Sequence, residues 1–309
     1  MFHQRTVKSL ITGEGVGLHS GRVTRFRIRP AAPDTGIVFV RTDVTPMVEI
    51  PARSDFVQDT TLATTVGVGE VTVGTIEHLV AALAGLGVDN ARIELDGPEV
   101  PILDGSSALW VELITAAGGT VAQSRPKKFL VVRKAVEVQQ GDKSARLEPA
   151  PTFSLRCHID FDHPIVNAQS FEIAMSDTAF VRELARARTF GFAKDVDAMH
   201  AAGLAQGGGL DNAVVIDDFS IRNPDGLRFP DEFVRHKVLD AVGDLALMGA
   251  PIIGRYVGHK SGHSLNTRLV AALLDNSRAY EMVEFRARRE VDVAQIELPS
   301  FGLSGLAPA

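Results

Sequence analysis

The sequence predicts an α+β fold built from two similar domains, each a layered sheet-and-helix sandwich. Three observations predict it. Period-two runs such as residues 22–30, Arg-Val-Thr-Arg-Phe-Arg-Ile-Arg-Pro, mark half-buried strands. Apolar helical stretches occupy residues 75–86 and 234–248. The order of helix, glycine-bearing turn and strand occurs twice, as Gly85-Leu86-Gly87 before residues 91–95 and as Met248-Gly249-Ala250 before residues 252–257. Strands grouped apart from helices favour layers over a strictly alternating parallel sheet.

Each element has a local reason. The first alternating run ends at Pro30, which has no amide proton to give a neighbouring strand. The helix over 75–86 consists of small and branched apolar residues and is closed by Gly85 and Gly87. Gly118-Gly119-Thr120 through Arg125-Pro126 is rich in turn formers, which places a boundary near Pro126. The expected domains are therefore residues 1–125 and 126–300, with residues 301–309 as a tail. Beyond the boundary, residues 127–138 read as a strand with a basic start, residues 153–161 alternate, residues 180–188 are helix-like and residues 234–248 form an amphipathic helix.

Composition narrows the function. A chain of 309 residues with 45% hydrophobic and 23% charged residues has ample material for real cores. Its 32 basic and 38 acidic residues give a net charge of −6, so no basic field favours a nucleic-acid backbone. Cys157 is the single cysteine, which rules out an internal disulfide and Cys-rich zinc sites and fits a reducing compartment. No stretch approaches the ~20 apolar residues of a spanning helix, and the N-terminus lacks a leader pattern. The expected setting is cytoplasmic, and any metal must use His and carboxylate ligands.

His236 and Asp240 are four apart, so a helix puts them on one face about one turn apart, close enough to share a metal; Asp244 extends the stripe. The same spacing suits a solvated charged face. Glu77 and His78 open the matching helix of the first half, where Glu77 could be a base on activated water or a charge complementing the helix dipole. His263 sits in the turn Lys260-Ser261-Gly262-His263, after a strand. Spacing alone leaves His19, His78 and His263 competing as a third ligand. The glycine-rich run from Gly13 to Gly21 precedes a strand, so the dinucleotide-binding pattern fails for want of a helix.

Longer blocks add a resemblance. Gly15-Val16-Gly17-Leu18-His19-Ser20-Gly21, Thr75-Ile76-Glu77-His78-Leu79, Gly85-Leu86-Gly87-Val88-Asp89-Asn90 and Pro101-Ile102-Leu103-Asp104-Gly105-Ser106 lie in the first half. Arg188-Thr189-Phe190-Gly191-Phe192, Phe233 through Asp240, Gly243-Asp244-Leu245 and Lys260 through Asn266 follow. In this order they resemble the UDP-3-O-acyl-N-acetylglucosamine deacetylase family of Gram-negative bacteria, from the N-terminus to about residue 270.

That resemblance implies two α+β domains with the site between them, one zinc ion per chain, and hydrolysis of the N-acetyl group of a UDP-glucosamine carrying a 3-O-hydroxyacyl chain, the committed step toward lipid A. The implied ligands are His78, His236 and Asp240, with a fourth position open. Glu77 resembles the general base, and His263, kept protonated by Asp244, the electrostatic stabiliser or acid for the departing amine. Thr189 is implied to meet charge on the carbonyl oxygen and Lys237 to neutralise nearby charge. Phe190 and Phe192 correspond to an apolar passage for the acyl chain, within the region 180–204, and Lys260 is a candidate for the diphosphate. The expected partner is the UDP-linked acylated glucosamine, with no nucleic acid, no integral membrane segment and a monomeric state. The rival readings are a zinc amidase or peptidase acting on another amide, and a nucleotide-sugar binding module with closed metal coordination.

Overall fold

The computed structural model describes residues 2–285. Its first large sheet comprises β1 (Ile11–Val16), β2 (Val23–Pro30), β3 (Ile37–Arg41), β4 (Val48–Pro51) and β5 (Ala91–Leu95), in the spatial order β1-β2-β5-β3-β4. The alternation in β2 sorts its faces as expected: Thr24, Phe26 and Ile28 are buried while Val23, Arg25 and Arg27 are exposed. Central β5 runs antiparallel to β2 and parallel to β3. Between β4 and β5 the chain forms α1 (Glu77–Gly85), which is buried nearly all round, as a helix apolar on every face must be. After β5 comes α2 (Ala108–Ala116), whose Trp110 meets Phe26 edge-on at 4.9 Å.

The second large sheet repeats that order. Its strands are β6 (Lys128–Val132), β7 (Val136–Gln140), β8 (Lys143–Glu148), β9 (Phe153–Ile159), β10 (Gln169–Ala174), β11 (Ile252–His259) and β12 (Tyr280–Glu284). They lie in the order β7-β8-β11-β6-β12, with β9 paired to both β11 and β10. α3 (Glu232–Ala246) precedes central β11 as α1 precedes β5, and α4 (His263–Leu274) follows it as α2 follows β5. α3 packs over β9 and β10, and α4 over β7 and β8. The fold is α+β. The expected end of the second half, residues 286–300, and the tail at 301–309 lie outside the described residues.

Three elements differ from expectation. Most of the turn-rich stretch from Gly118 to Pro126 is a strand, Thr120–Pro126, paired antiparallel with His3–Val7. The strand expected over 127–138 is two strands, β6 and β7, because the chain leaves the sheet at residues 133–135. The helix expected over 180–188 is a π-helical turn, Phe180–Leu184, in which the Ala185 amide reaches the Phe180 carbonyl at 2.8 Å. The buried Phe180 ring lies against Gly85 of α1, a site with no room for a side chain.

The two sheets share one apolar cluster, and the helices α1 and α3 cross within it. Leu79, Leu83, Val238, Leu239 and Leu245 are fully buried there, each contributing about 1.5–3 kcal/mol relative to exposure. The helices approach closely at Gly243, where a side-chain carbon would strike the carbonyl oxygen of Glu77 and lie 2.9 Å from its carbon. A backbone carbonyl cannot swing aside as a side-chain tip can. Gly243→Ala is therefore expected to cost about 1–3 kcal/mol, the usual range for overpacking, in denaturant unfolding. Gly191→Ala, which meets open space, should change stability far less.

Candidate metal centre

The crossing that buries Glu77 and Gly243 also faces His78 of α1 toward His236 and Asp240 of α3. All three residues are buried, and one ligand atom from each lies within 4.8 Å of the others. Oδ1 of Asp240 is 3.5 Å from Nε2 of His78 and 3.3 Å from Nε2 of His236. It accepts no hydrogen bond although it is buried, which is an unsatisfied position unless a cation sits among the three atoms. Two imidazoles and a carboxylate are a donor set that could hold a divalent metal ion.

The orientation of the His236 ring comes from a backbone partner. His236 donates through Nδ1 to the Ala187 carbonyl at 3.0 Å, which leaves Nε2 with its lone pair toward Asp240. Burial drives the His236 pKa down to about 3, so the ring is neutral and free to ligate. Asp240 holds its other oxygen against the ammonium of Lys237 at 2.8 Å. Burial opposes its ionisation, but His236 and Lys237 outweigh that and keep its carboxyl well below the usual range.

His263, on the first turn of α4, has the opposite charge preference. Its Nδ1 donates to Oδ2 of Asp244 at 3.0 Å, and its Nε2 lies 3.9 Å from both Oε1 of Glu77 and Oδ2 of Asp240. Burial pulls its pKa down, yet the surrounding carboxylates of Asp244 and Glu77 more than offset this and raise it to about 9. Asp244 in turn accepts from the Thr64 hydroxyl at 2.6 Å and the Asn266 amide at 2.8 Å, and the Tyr256 hydroxyl donates to Asn266 at 2.6 Å. Glu77 accepts from the Thr64 amide at 3.0 Å, and burial raises its pKa. With all carboxylates ionised, three negative groups face only Lys237 and His263, an excess that a divalent cation would relieve.

A family model described as UDP-3-O-acyl N-acetylglycosamine deacetylase matches residues 4–275. The chain belongs to this family. It is 53% identical over 308 residues to the UDP-3-O-acyl-N-acetylglucosamine deacetylase of Myxococcus xanthus strain DK1622, an overlap of 100% of this chain and 96% of the relative. Against the protein of that name from Anaeromyxobacter sp. strain Fw109-5 the identity is 54%, over 94% of each chain. Against that from Hahella chejuensis strain KCTC 2396 it is 49%, over 96% of this chain and 99% of the relative.

Of the three histidines that compete by sequence, His78 is the one whose ligand atom joins His236 and Asp240. His19 lies in a neighbouring loop, where Glu99 holds the amides of His19 and Ser20 and the Thr75 hydroxyl at 2.8–2.9 Å. Phe190 forms a wall beside the cluster, 6.3 Å from the His236 ring and under the Lys237 ammonium at 5.9 Å. Phe192 continues that wall with Phe161, at 5.8 Å. Thr189 follows the Ala187 carbonyl by two residues and is tied through its amide to Gly105 at 2.8 Å. Lys260 stands apart, in ion pairs with Asp142 and Asp160 at 3.1 and 3.0 Å.

Sequence reasoning missed Thr64, Tyr256 and the Ala187 carbonyl. Thr64 sits in Thr60-Thr61-Leu62-Ala63-Thr64-Thr65, which carries no periodic or motif signal, and a backbone carbonyl carries none in any sequence. The geometry predicts that the metal-free protein takes up one equivalent of zinc and that His236→Ala abolishes the uptake. In thermal unfolding, free zinc at 100 times its dissociation constant should stabilise the unmodified protein by about 2.7 kcal/mol and leave His236→Ala unmoved.

Proposed function

We propose that the protein is a zinc-dependent amide hydrolase that removes the N-acetyl group of UDP-3-O-(3-hydroxyacyl)-N-acetylglucosamine, releasing acetate at the committed step toward lipid A. The observation that carries this reading is the α1–α3 crossing, which gathers three buried ligand atoms within 4.8 Å next to an acid-base pair, in a chain of this family. His78, His236 and Asp240 would hold the ion. Bound zinc supplies Lewis acidity, making water a nucleophile at neutral pH and polarising the acyl oxygen.

The chain's own residues do the rest. Glu77, buried and anchored by the Thr64 amide, removes the proton of the attacking water. His263, held as a cation by Asp244, stabilises the charge that grows on the former carbonyl and donates to the departing amine. Thr189 gives a hydroxyl to the same oxygen, and Lys237 offsets negative charge beside Asp240. Phe190 and Phe192 line the path of the acyl chain, and Lys260 meets the diphosphate on exchanging one of its acidic partners for the substrate. We place the activity in the cytoplasm, in a monomer whose domains, residues 1–125 and 126–300, flank the site. Among the described residues no helix is long and apolar enough to cross a membrane.

Acetate release from the UDP-linked substrate tests the reading directly. Glu77→Gln should keep its zinc and lose about 10²–10⁴ in kcat, and His263→Ala about 2.7–4 kcal/mol of barrier stabilisation. A zinc-loaded, unmodified protein that releases no acetate would sink the proposal.

The pH profile gives an independent check. His263 works protonated, so its contribution is present below its raised pKa and is lost as pH rises through it, toward 9. Asp244→Asn removes the first carboxylate that raises that pKa, so the alkaline limb of kcat against pH should move to lower pH. An unmoved limb would exclude His263 as the protonated stabiliser.

A further inference from the structure

Glu232 and His236 stand one turn apart at the start of α3 and hold opposite ends of a single peptide group. His236 donates through Nδ1 to the Ala187 carbonyl at 3.0 Å, and the Arg188 amide in the same planar unit donates to Oε1 of Glu232 at 2.9 Å. Hydrogen bonds at the two ends of a peptide polarise one another. A carboxylate on the N–H therefore enriches the carbonyl oxygen, which holds the His236 N–H more firmly. The carbonyl can only accept, so Nδ1 carries the proton and Nε2 presents its lone pair to the metal cluster.

Glu232 is built for this contact. It is fully buried, and its two oxygens accept from four groups: the Arg188 amide, Nε of Arg188 at 2.9 Å, Nη2 of Arg188 at 3.1 Å and the Arg228 amide at 2.6 Å. Neutralising the Arg188 guanidinium would need only the side-chain pair. The amide bond from Arg188 is the extra feature, and the next two residues, Thr189 and Phe190, carry it into the wall of the site.

We propose that Glu232 is a positioning residue for His236, acting through the Ala187–Arg188 peptide group to fix the tautomer and tilt of the ring and to strengthen Nε2 as a metal ligand. The inference rests on the metal reading above. A purely structural Glu232 would change stability when altered and leave the ring and the ion as they were.

The test uses full-length protein labelled with ¹⁵N-histidine and two paired variants that leave no buried charge unpartnered. Arg188→Met with Glu232→Gln keeps a neutral acceptor on the amide; Arg188→Met with Glu232→Leu removes it. In the unmodified, metal-free protein, His236 is expected as the Nδ1–H tautomer by NMR. The Leu pair should show mixed tautomers and pass zinc to a chromogenic chelator about 10–100-fold faster, the usual cost of losing an outer-shell partner. The Gln pair should release it several-fold faster. An Nε2–H tautomer in the unmodified protein overturns the proposal, as does a folded Leu pair with unchanged tautomer and zinc release. If the Leu pair does not fold, a Gln pair equal to the unmodified protein overturns it as well. Failure of the unmodified protein to take up zinc would instead defeat the metal reading, while the tautomer would still decide the link to Glu232.

Discussion

The contact of Gly243 with the Glu77 carbonyl sets the distance between α1 and α3, and every catalytic proposal for this protein depends on that distance. His78 comes from one helix and His236 and Asp240 from the other, so their 4.8 Å cluster exists only while the helix backbones approach as closely as a glycine permits. Apolar burial drives the approach, with Leu79 and Leu83 on one helix and Val238, Leu239 and Leu245 on the other. The same packing that stabilises the core thus positions the cluster, whose three side chains all stand on helices.

Electrostatics then divide near-identical side chains into different roles. His236 and His263 are both buried, yet one is neutral and the other cationic. The difference lies in what each Nδ1 meets: an uncharged carbonyl from Ala187 for His236, and the Asp244 carboxylate for His263. Desolvation acts on both rings in the same direction and decides the first case. In the second, Asp244 and Glu77 supply more than desolvation removes. An imidazole must be neutral to ligate a metal, and a cationic imidazole is the stronger donor to a developing anion, so the Nδ1 partners of His236 and His263 decide what each ring can do.

Local pattern and tertiary geometry divided the legibility of this protein. The alternation in β2, the helix over α3 and the repeated helix–turn–strand order were readable because they depend on near neighbours in the chain. The His236–Asp240 pair was readable too, since a helix fixes its four-residue spacing. His78 became a ligand candidate of equal standing with His19 and His263, because 158 positions separate it from His236 and only packing decides which histidine arrives. The long blocks shared with the deacetylase family carried the site beyond that point. Thr64 is not legible because its hydroxyl and amide act from a stretch without periodic or motif signal, Ala187 because it acts through a backbone carbonyl, and the packing of Phe180 on Gly85 because that contact joins two distant elements.

Strain in the backbone marks the same place from a different direction. Among the described residues six that are not glycine have positive φ, and four of them stand two or three positions before a group of the site. Leu62 precedes Thr64, Thr75 precedes Glu77, Leu103 precedes the Gly105 carbonyl that holds Thr189, and Lys260 precedes His263. Each such residue costs about 1–3 kcal/mol and persists only where its surroundings over-determine it. For Thr75, a β-branched residue, the restraint is visible: its hydroxyl is held by Glu99, which also holds the His19 and Ser20 amides. These turns re-aim the chain just before it delivers a side chain or a backbone group to the centre. Relaxing them would favour stability and release the geometry, so their retention around one cluster is what a pre-organised catalytic site requires of its scaffold.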